Sequence, residues 1–523
     1  MRMMCAIRCL LAVCTVLPYV VKAQSKLSIN NVYSAKLRNS GPIIANNEVK
    51  GYFLFYQSDK IDRKTNEYTL QILDENVNKV KDIKFTDDKN TNLLEAAFNG
   101  TDIMFEFFNA KDKLLDFRVY GLDGKQKYSY SQELSKRTIN YMQQKGDYSN
   151  DDAENNTLFG AEGKGFISLI PIRDGRQYTY QVSGYKTDKK GQWTFEPDED
   201  NKFSSPLFLG STDSIAVFEV IKKEGTFSGK IQSWLLGINL TNGKKTFEFE
   251  TNSKDKYAFF PMNVTQLAGT GNFALSGPYF DADARVLKDK SQGMGIWVMD
   301  SKGKLLNSKY SSWEGDLAKY LPVNDKGKID EVGYMYIHKV VQTSDGNIFA
   351  VAEGYKQQVS ALGTGLKVLG AMAGGGGGVS AVKLKITDMV MLQYDSTFKL
   401  KNAKVYDKNN NNVEMPGGSE FMGPQTMALY ASAIGAFDYS FTEKSSDMST
   451  FEVGYTDYVR EDGYKGGTFN TISYYNGKFT TDRINLKSAA KYVAVFPGKT
   501  GSVMIMEYYK KDKRLDVRLE KVN

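Results

Sequence analysis

Apolar and polar residues alternate along the chain in short segments that are separated by turn residues, and this pattern predicts β-strands. Two stretches, residues 96–123 and 494–523, repeat one another most clearly. Each contains an apolar segment, a turn at a glycine (Gly100 or Gly498), a second apolar segment, a Lys-Asp-Lys turn and a third apolar segment. The sequence therefore predicts a repeated unit of antiparallel hairpins.

Two series of turn signals extend this unit over the whole chain. In the first series, an aromatic or β-branched strand ends at Asp or Asn and a Gly, Asn or Ser follows, which is typical of hairpin turns. These turns are at residues 73–76, 122–124, 187–191, 241–243, 299–303, 394–396 and 475–477. The second series precedes strands rich in Phe, Ile, Val or Met, at residues 99–100, 163–165, 210–213, 269–272, 345–346 and 498–501. Together they predict four strands per unit at a spacing of roughly 50 to 60 residues.

Four-stranded units at this spacing predict an all-β fold, a β-propeller of about eight blades, with seven blades as the alternative. The predicted blades are residues 42–86, 93–134, 156–197, 203–250, 257–310, 334–406, 425–485 and 489–523, within a single domain that spans residues 24–523. The last blade lacks an outer strand, and the alternating segment 27–37 has no partner nearby in sequence. We therefore predict that this N-terminal strand pairs with the last blade and closes the ring. Helix is expected only near residues 314–320.

The first 23 residues have the features of a signal peptide. Arg2 and Arg8 are followed by the apolar run 10–21 and by a compact cleavage site that ends at Ala23. All three cysteines lie in this leader, so the mature chain has no thiol for disulfides, metal ligation or nucleophilic catalysis. The sequence predicts export to the periplasm, the outer membrane surface or the extracellular space.

Charge and hydropathy exclude two classes of partner. The formal charge is +7 and falls to +4 without the three basic residues of the leader (7 − 3), with Lys and Asp/Glu interleaved throughout, so no nucleic-acid partner is expected. After the leader, no run approaches the roughly 20 apolar residues of a membrane span.

Residues that could carry chemistry are few. His338, the only histidine, alternates with Tyr334 and Tyr336 on one face of a predicted strand, and no nucleophile motif accompanies it, so we predict that it is not catalytic. Asp281 and Asp283 are weak candidates for calcium ligands, because Arg285 occupies the third ligand position of a calcium loop. The favoured interpretation is a solvated loop with a local Asp–Arg pair, and no cofactor is predicted.

Residues 359–385 do not fit the strand rhythm. Apolar residues at helical spacing precede five glycines, and the segment contains three lysines but no acidic residue. We predict a flap that projects from one face and contacts a partner or the membrane surface, with a flap folded back over its own propeller as the alternative. The candidate contact residues are Leu362, Leu366, Lys367, Leu369 and Met372.

In its leader, its Lys/Asn/Tyr/Phe-rich composition and its blade-like units, the chain resembles the exported β-propeller-like proteins of Bacteroidota. That resemblance implies an envelope or secreted location and no particular activity. The sequence favours a non-enzymatic binding or scaffold propeller that recognises an envelope protein or a glycan through its loop faces. The alternative is a carboxylate-dependent enzyme acting on polysaccharide, of glycoside hydrolase or lyase type, with two carboxyl groups about 5 to 9.5 Å apart in a channel or cleft.

Overall fold

The computed structural model of the chain describes residues 25–145, 156–187, 191–198, 203–223, 231–251, 256–359, 379–416, 419 and 422–522. The predicted signal peptide lies outside these ranges. No helix of the described residues has the length and apolar character needed to cross a membrane.

The described residues form 35 strands in seven hydrogen-bonded sheets, one of which is eight-stranded and contains two consecutive meanders. With those two meanders named separately, we call the units blades 1 to 8 in chain order. The first two blades and the strand before them are β1 (Lys26–Asn30), β2 (Ser34–Ala35), β3 (Gly41–Ala45), β4 (Glu48–Lys60), β5 (Thr65–Asp74), β6 (Lys79–Asp88), β7 (Thr91–Phe98), β8 (Asp102–Asn109), β9 (Leu114–Gly121) and β10 (Gln126–Glu133). Blades 3 and 4 are β11 (Leu158–Ala161), β12 (Gly165–Asp174), β13 (Gln177–Tyr185), β14 (Trp193–Phe195), β15 (Phe203–Ser211), β16 (Ile215–Lys223), β17 (Gln232–Asn239) and β18 (Lys245–Glu250).

The second half of the ring follows the same plan. Blades 5 and 6 are β19 (Tyr257–Phe259), β20 (Asn263–Gln266), β21 (Phe273–Asp281), β22 (Gly293–Met299), β23 (Leu305–Ser312), β24 (Tyr334–Gln342), β25 (Ile348–Val359), β26 (Val379–Tyr394) and β27 (Leu400–Tyr406), with β28 (Asn411–Pro416) paired to β26. Blades 7 and 8 are β29 (Tyr439–Lys444), β30 (Thr450–Glu461), β31 (Tyr464–Tyr475), β32 (Lys478–Asn485), β33 (Tyr492–Pro497), β34 (Ser502–Tyr509) and β35 (Arg514–Lys521).

The position of a strand within its blade explains its composition. The second strand of a blade is covered on both faces by neighbouring blades, so every residue of β8 is buried and its sequence, DIMFEFFN, is a nearly continuous apolar run. The outermost strand has no buried edge, and β10 is accordingly polar and mostly exposed.

Eight hydrophobic clusters each join one blade to the next. Phe55 of blade 1 packs on Phe105 of blade 2, with ring centroids 5.2 Å apart. The last cluster joins Met506 of blade 8 to Leu54 of blade 1, so the series returns to its start. This arrangement is a β-propeller, which confirms the predicted fold class.

Blade 8 takes its fourth strand from the N-terminal segment. β1 pairs antiparallel with β35 from Lys26↔Arg518 to Asn30↔Arg514. Beyond the strand, the backbone N–H of Val32 donates to the Lys513 carbonyl at 2.8 Å, and the Val32 side chain is fully buried. The pairing gives the N-terminal segment the partner that it lacks locally in sequence.

Two helices differ from the sequence expectations. Predicted blade 7 begins at residue 425, but residues Pro424–Ala433 form the helix α2, and the first strand of the blade begins at Tyr439. Pro424 at the first helical position and Gly435, with φ of 65°, just beyond the end are the expected helix boundaries. Lys136–Lys145 forms α1, which the sequence did not predict, whereas residues 314–320 contain only the 3-10 turn Leu317–Lys319.

The flap prediction is wrong for residues 379–385, which continue β26. Leu384 pairs with Gln357 of β25 on one side and with Val413 of β28 on the other. Val382 and Leu384 are buried, because β28 and α2 cover this extension of the hairpin. Leu362, Leu366, Lys367, Leu369 and Met372 lie outside the described residues, so their role in partner contact stays a prediction.

Candidate functional site

The two ends of the propeller differ in the length of their connections. In a meander of four antiparallel strands, the turns that follow the first and the third strand lie at the same end of the blade. We call this end of the propeller the turn face. The longest connection there is residues 186–192. The other end, which we call the insertion face, carries the long connections, whose described parts include residues 134–145, 282–292, 313–333, 407–416 and 422–438. Insertions confined to one face are typical of the binding face of a repeat protein.

The helix α2, in the connection between blades 6 and 7, is fixed by neighbouring insertions. Thr426 Oγ1 donates to the Leu287 carbonyl in the insertion of blade 5 at 2.7 Å. Tyr355 Oη of blade 6 donates to the Pro424 carbonyl at 2.9 Å. Met427 and Ala431 are buried against blade 6. The insertion of blade 5 and strand β25 of blade 6 therefore hold α2 over this part of the insertion face.

A cavity of about 380 Å³, which we call the axial cavity, lies where the inner strands of blades 3 to 7 approach α2. Seven of its twenty described lining residues carry aromatic rings, and the end of α2 contributes Leu429, Ser432 and Ala433. The aromatic residues are Phe159, Phe208, Phe260, Tyr336, Phe437 and Tyr439, together with His338.

These rings form ordered pairs. His338 lies on Tyr439 with centroids 4.3 Å apart and planes 10° apart. Tyr336 lies on Phe437 at 4.8 Å and 13°, and its hydroxyl donates to Ser432 Oγ at 3.1 Å. Stacked, hydrogen-bonded rings have little freedom to rearrange, so the cavity wall is largely preformed.

Behind the aromatic wall, a buried ionic network joins blades 6 and 7. Glu353 and Lys408 are fully buried, with Lys408 Nζ 3.1 Å from Glu353 Oε1 and 2.6 Å from Asp438 Oδ2. His338 Nε2 lies 3.3 Å from Glu353 Oε2. The backbone N–H groups of Asp438 and Tyr439 also donate to Glu353, at 3.2 and 3.1 Å. Every carboxylate oxygen of Glu353 thus has a partner, as a buried charge requires.

The network shifts the pKa of its two carboxyl groups and of its lysine. Burial opposes ionisation of Glu353, but the contacts with His338 and Lys408 outweigh it and lower the pKa of the carboxyl below its ordinary value. Burial disfavours the Lys408 ammonium, yet Glu353 and Asp438 together raise its pKa. Burial raises the pKa of Asp438 to about 6 against the opposing effect of Lys408. Lys408 is therefore a cation shared by two carboxyl groups, and it favours the ionised form of both.

His338 is therefore a buried structural neighbour of Glu353 rather than a solvated residue on a strand face. A register shift in the pairing of β24 with β25, between Ile337 and Lys339, interrupts the regular alternation at this position. Nothing in the structure tests whether His338 acts in catalysis, and that expectation stays a prediction. The sequence analysis missed Glu353, Lys408 and Asp438 altogether.

Glu353 has counterparts in the second strands of the three other even-numbered blades. Glu106 of β8 and Glu219 of β16 are fully buried, and Glu507 of β34 is buried beside Arg518. Thr157 Oγ1 donates to Glu106 at 2.6 Å, and Ser233 donates to Glu219. Burial raises the pKa of Glu106 to about 7 and that of Glu219 well above its ordinary value. A glutamate inside an apolar run was the sequence signal for Glu106, Glu219 and Glu353.

Glu106 should make stability depend on pH. Its pKa rises from 4.5 to about 7 on folding, so its protonated form is favoured in the native state. Protonation of Glu106 contributes fully to the free energy of unfolding below pH 4.5. As the pH rises through 7, this contribution of about 3 kcal/mol is lost. Urea unfolding at pH 5 and pH 8 should show that Glu106→Gln removes this part of the pH dependence. The control is Glu133→Gln, in the outer strand of the same blade. Equal pH dependence in Glu106→Gln and the parent would contradict the argument.

A second group of carboxylates lies at the turn face, in a groove of about 780 Å³ between blades 7, 8 and 1. Glu443 and Glu452 are direct neighbours on paired strands and project from the same face of blade 7. Burial raises the pKa of each carboxyl to about 7, although Lys339 opposes the shift at Glu443 and Ser473 opposes it at Glu452. Two such carboxyls in one groove could exchange a proton near neutral pH.

The weak metal candidates are not brought together with further ligands. Asp281 is exposed at the end of β21 and accepts a hydrogen bond from Gln292 Nε2 at 2.9 Å. Arg285 pairs with Asp289, with Nη2 2.9 Å from Oδ1, and not with Asp281 or Asp283. Within the described part of the chain, no group of three or more His, Cys, Asp or Glu residues could hold a metal ion.

Comparison with known proteins gives one family match. A family model described as "Family of unknown function (DUF6770)" matches residues 3–523. No curated protein matches the chain.

Similar solved structures include a WD40 domain, a β-propeller domain and a prolyl oligopeptidase. The WD40 domain of SCAP from fission yeast has 8% identity and a TM-score of 0.37, over 94% of this chain and 97% of that one. The β-propeller domain of the Trilobed protease from Pyrococcus furiosus has 12% identity and a TM-score of 0.29, over 69% and 92% of the two chains. Prolyl oligopeptidase B from Galerina marginata has 8% identity and a TM-score of 0.39, and this chain covers 56% of its length. At these values the likenesses carry no conclusion about activity.

Proposed function

The chain belongs to the family of unknown function DUF6770, and we propose that it is an exported, non-enzymatic binding propeller of the bacterial cell envelope. It recognises a protein or a glycan through the insertion face. Its propeller fold supports a binding or scaffold role, and the predicted signal peptide and the resemblance to exported proteins of Bacteroidota support the location.

The uneven length of the connections is the observation that carries this proposal. Residues 89–90 lead from the outer strand of blade 1 to the inner strand of blade 2, so two residues suffice for such a step. The corresponding connections 134–157, 313–333 and 407–438 are far longer than ring formation requires. The described part of this extra chain includes the helix α2, and fixing such chain in place costs conformational entropy, so its retention favours a binding role.

Exposed tyrosines provide contact area on this face. Tyr320, 39% exposed, lies in the insertion 313–333, and Tyr458, 49% exposed, lies near the end of β30 that faces the insertions. Tyrosine supplies a large, amphipathic contact surface at low entropy cost. Tyr475, 61% exposed, lies in the same blade as Tyr458 but at the turn face, and it is a matched control.

The proposal is tested by binding of the purified mature chain to envelope fractions of the producing cells. Tyr320→Ser and Tyr458→Ser together should weaken binding at least tenfold, because they remove anchors that a partner would cover. Tyr475→Ser should leave binding within twofold. Loss of binding in Tyr475→Ser alone would overturn the assignment of the insertion face. Peripheral membrane contact through residues 360–378, which lie outside the described ranges, remains a separate prediction, testable with anionic liposomes.

A second candidate function rests on Glu443 and Glu452, two carboxyl groups on directly paired strands that line one groove. In this alternative, the chain is an enzyme acting on polysaccharide, with one carboxyl as acid and the other as base or nucleophile. Glu443→Gln and Glu452→Gln should then each reduce release of sugar reducing ends or unsaturated products at least 100-fold, while Glu461→Gln, an exposed residue of the same blade, should not. Retained activity in both variants would refute the alternative.

A further inference from the structure

We propose that the axial cavity is a binding site for a small, neutral aromatic molecule. This inference does not rest on the proposed recognition of a partner by the insertion face, because the cavity lies between the inner strands and α2. Its volume of about 380 Å³ falls within the range of about 300 to 1,000 Å³ that is usual for small-molecule sites.

The lining favours a flat apolar ligand. Phe159 and Phe208 stack at 4.1 Å with planes 30° apart on one side of the cavity. The pairs His338–Tyr439 and Tyr336–Phe437 stand on another side. An aromatic ligand that enters between such walls gains offset-stacked or edge contacts in addition to the burial of its surface.

The absence of charge in the lining separates this ligand class from ionic ones. Among the described residues that line the cavity, none is Asp, Glu, Lys or Arg. The carboxylate of Glu353 lies behind His338 and is already paired with Lys408. An ionised ligand would lose its hydration without gaining an opposite charge, which costs several kcal/mol or more.

The hydrogen-bonding capacity of the lining disfavours a sugar as the ligand. A hexose carries about five hydroxyl groups, and each buried hydroxyl without a partner costs about 1 to 3 kcal/mol. Six of the twenty described lining residues have polar side chains, but several already have protein partners. Asn263 Nδ2 donates to the Ile337 carbonyl at 2.9 Å, and Tyr439 Oη donates to Thr442 Oγ1 at 3.1 Å. Stacking on one or two rings cannot offset several unpaired hydroxyls.

Ser432 provides a polar group that can orient the ligand. Ser432 Oγ accepts a hydrogen bond from Tyr336 Oη, and its own hydroxyl hydrogen has no acceptor among the described residues. A hydroxyl can donate while it accepts. The geometry therefore fits an aromatic molecule with a single acceptor, such as a ketone or an ether.

The test uses 6-propionyl-2-(dimethylamino)naphthalene, a neutral aromatic ketone whose fluorescence reports the polarity around its carbonyl. Titration into the mature chain should give saturable binding. Ala433→Trp, which fills the cavity from the end of α2, should weaken it at least tenfold. Tyr430→Trp adds an indole to the same helix outside the cavity lining and should change binding by less than twofold.

Two further measurements exclude unspecific binding. The anionic dye 8-anilinonaphthalene-1-sulfonate should bind at least tenfold more weakly than the neutral ketone. Ser432→Ala should shift the bound emission to shorter wavelength and weaken binding two- to fivefold, because the carbonyl loses its donor. If Ala433→Trp does not fold, Ser432→Phe takes its place.

Binding within twofold of the parent in the folded cavity-filling variant would overturn the proposal, as would equal affinity for the anionic dye. If Ala433→Trp loses binding of the neutral ketone but still binds envelope fractions, the result would support the cavity site independently of the proposed partner function. Loss of partner binding in Tyr320→Ser/Tyr458→Ser with intact dye binding would separate the two in the opposite direction.

Discussion

Deletion of residues 24–38 is expected to destabilise the whole propeller by about 5 kcal/mol or more. The deletion removes β1, the fourth strand of blade 8, and with it the buried side chains of Val32, Ala35 and Leu37. Full burial of one large apolar side chain contributes about 1.5 to 3 kcal/mol, and Leu27 and Ile29 add half-buried surface. A loss of this size approaches the total stability of about 5 to 15 kcal/mol that is usual for a folded protein.

Urea unfolding measures the loss of stability in the deletion variant. A pair of introduced cysteines tests the register of β1 with β35. Residues 24–523 contain no cysteine, so Asn30→Cys/Arg514→Cys in this part of the chain introduces a single pair at register partners of β1 and β35. Its oxidised form should be more stable than its reduced form. Ser28→Cys/Arg514→Cys, two residues out of register, should form the bond poorly. A deletion variant that unfolds at the same urea concentration as the parent would contradict the closure of the ring through β1.

Replacement of Lys408 by Met should destabilise the chain by about 3 to 5 kcal/mol. The substitution leaves Glu353 and Asp438 buried without their shared counter-charge, and the removal of one partner from a buried ion pair has this typical cost. The control is Lys399→Met, at an exposed lysine immediately before β27, the strand that Lys408 follows. It should change the free energy of unfolding by less than about 0.5 kcal/mol.

A second substitution separates the network from simple loss of packing. Lys408→Met/Glu353→Gln removes the largest uncompensated charge, so it should be more stable than Lys408→Met alone. Chemical denaturation of the four proteins gives the coupling free energy. Additive effects of the two substitutions would show that Lys408 and Glu353 do not interact energetically, against the 3.1 Å contact between them.

Local patterns explain why the sequence was sufficient for the blades. The predicted unit 203–250 coincides with β15 to β18, because strand alternation and hairpin turns depend on residues that are close in the chain. The prediction failed at α2, where a short, Ala-rich segment has no strong helical periodicity and buries several of its faces. Tertiary contacts with Tyr355, Leu384 and Leu287 stabilise that helix, and they leave no local signal.

The candidate sites depend on contacts that are distant in sequence. The hydrogen bond from the Asp438 backbone to Glu353 joins residues 85 positions apart, so no spacing rule could find it. The axial cavity combines residues from five blades for the same reason. A signal did exist in Glu106, Glu219 and Glu353, since a carboxylate inside a strand buried on both faces requires an explanation.

The recognition of a partner by the insertion face is tested most directly by site-specific photo-crosslinking in the producing cells. A photoreactive phenylalanine analogue replaces Tyr458 in one variant and Tyr475 in another, two exposed positions at opposite ends of blade 7. The proposal predicts a discrete crosslinked product, to protein or glycan, from position 458 and none from position 475. Crosslinks of equal yield from both positions, or a product from position 475 only, would contradict it.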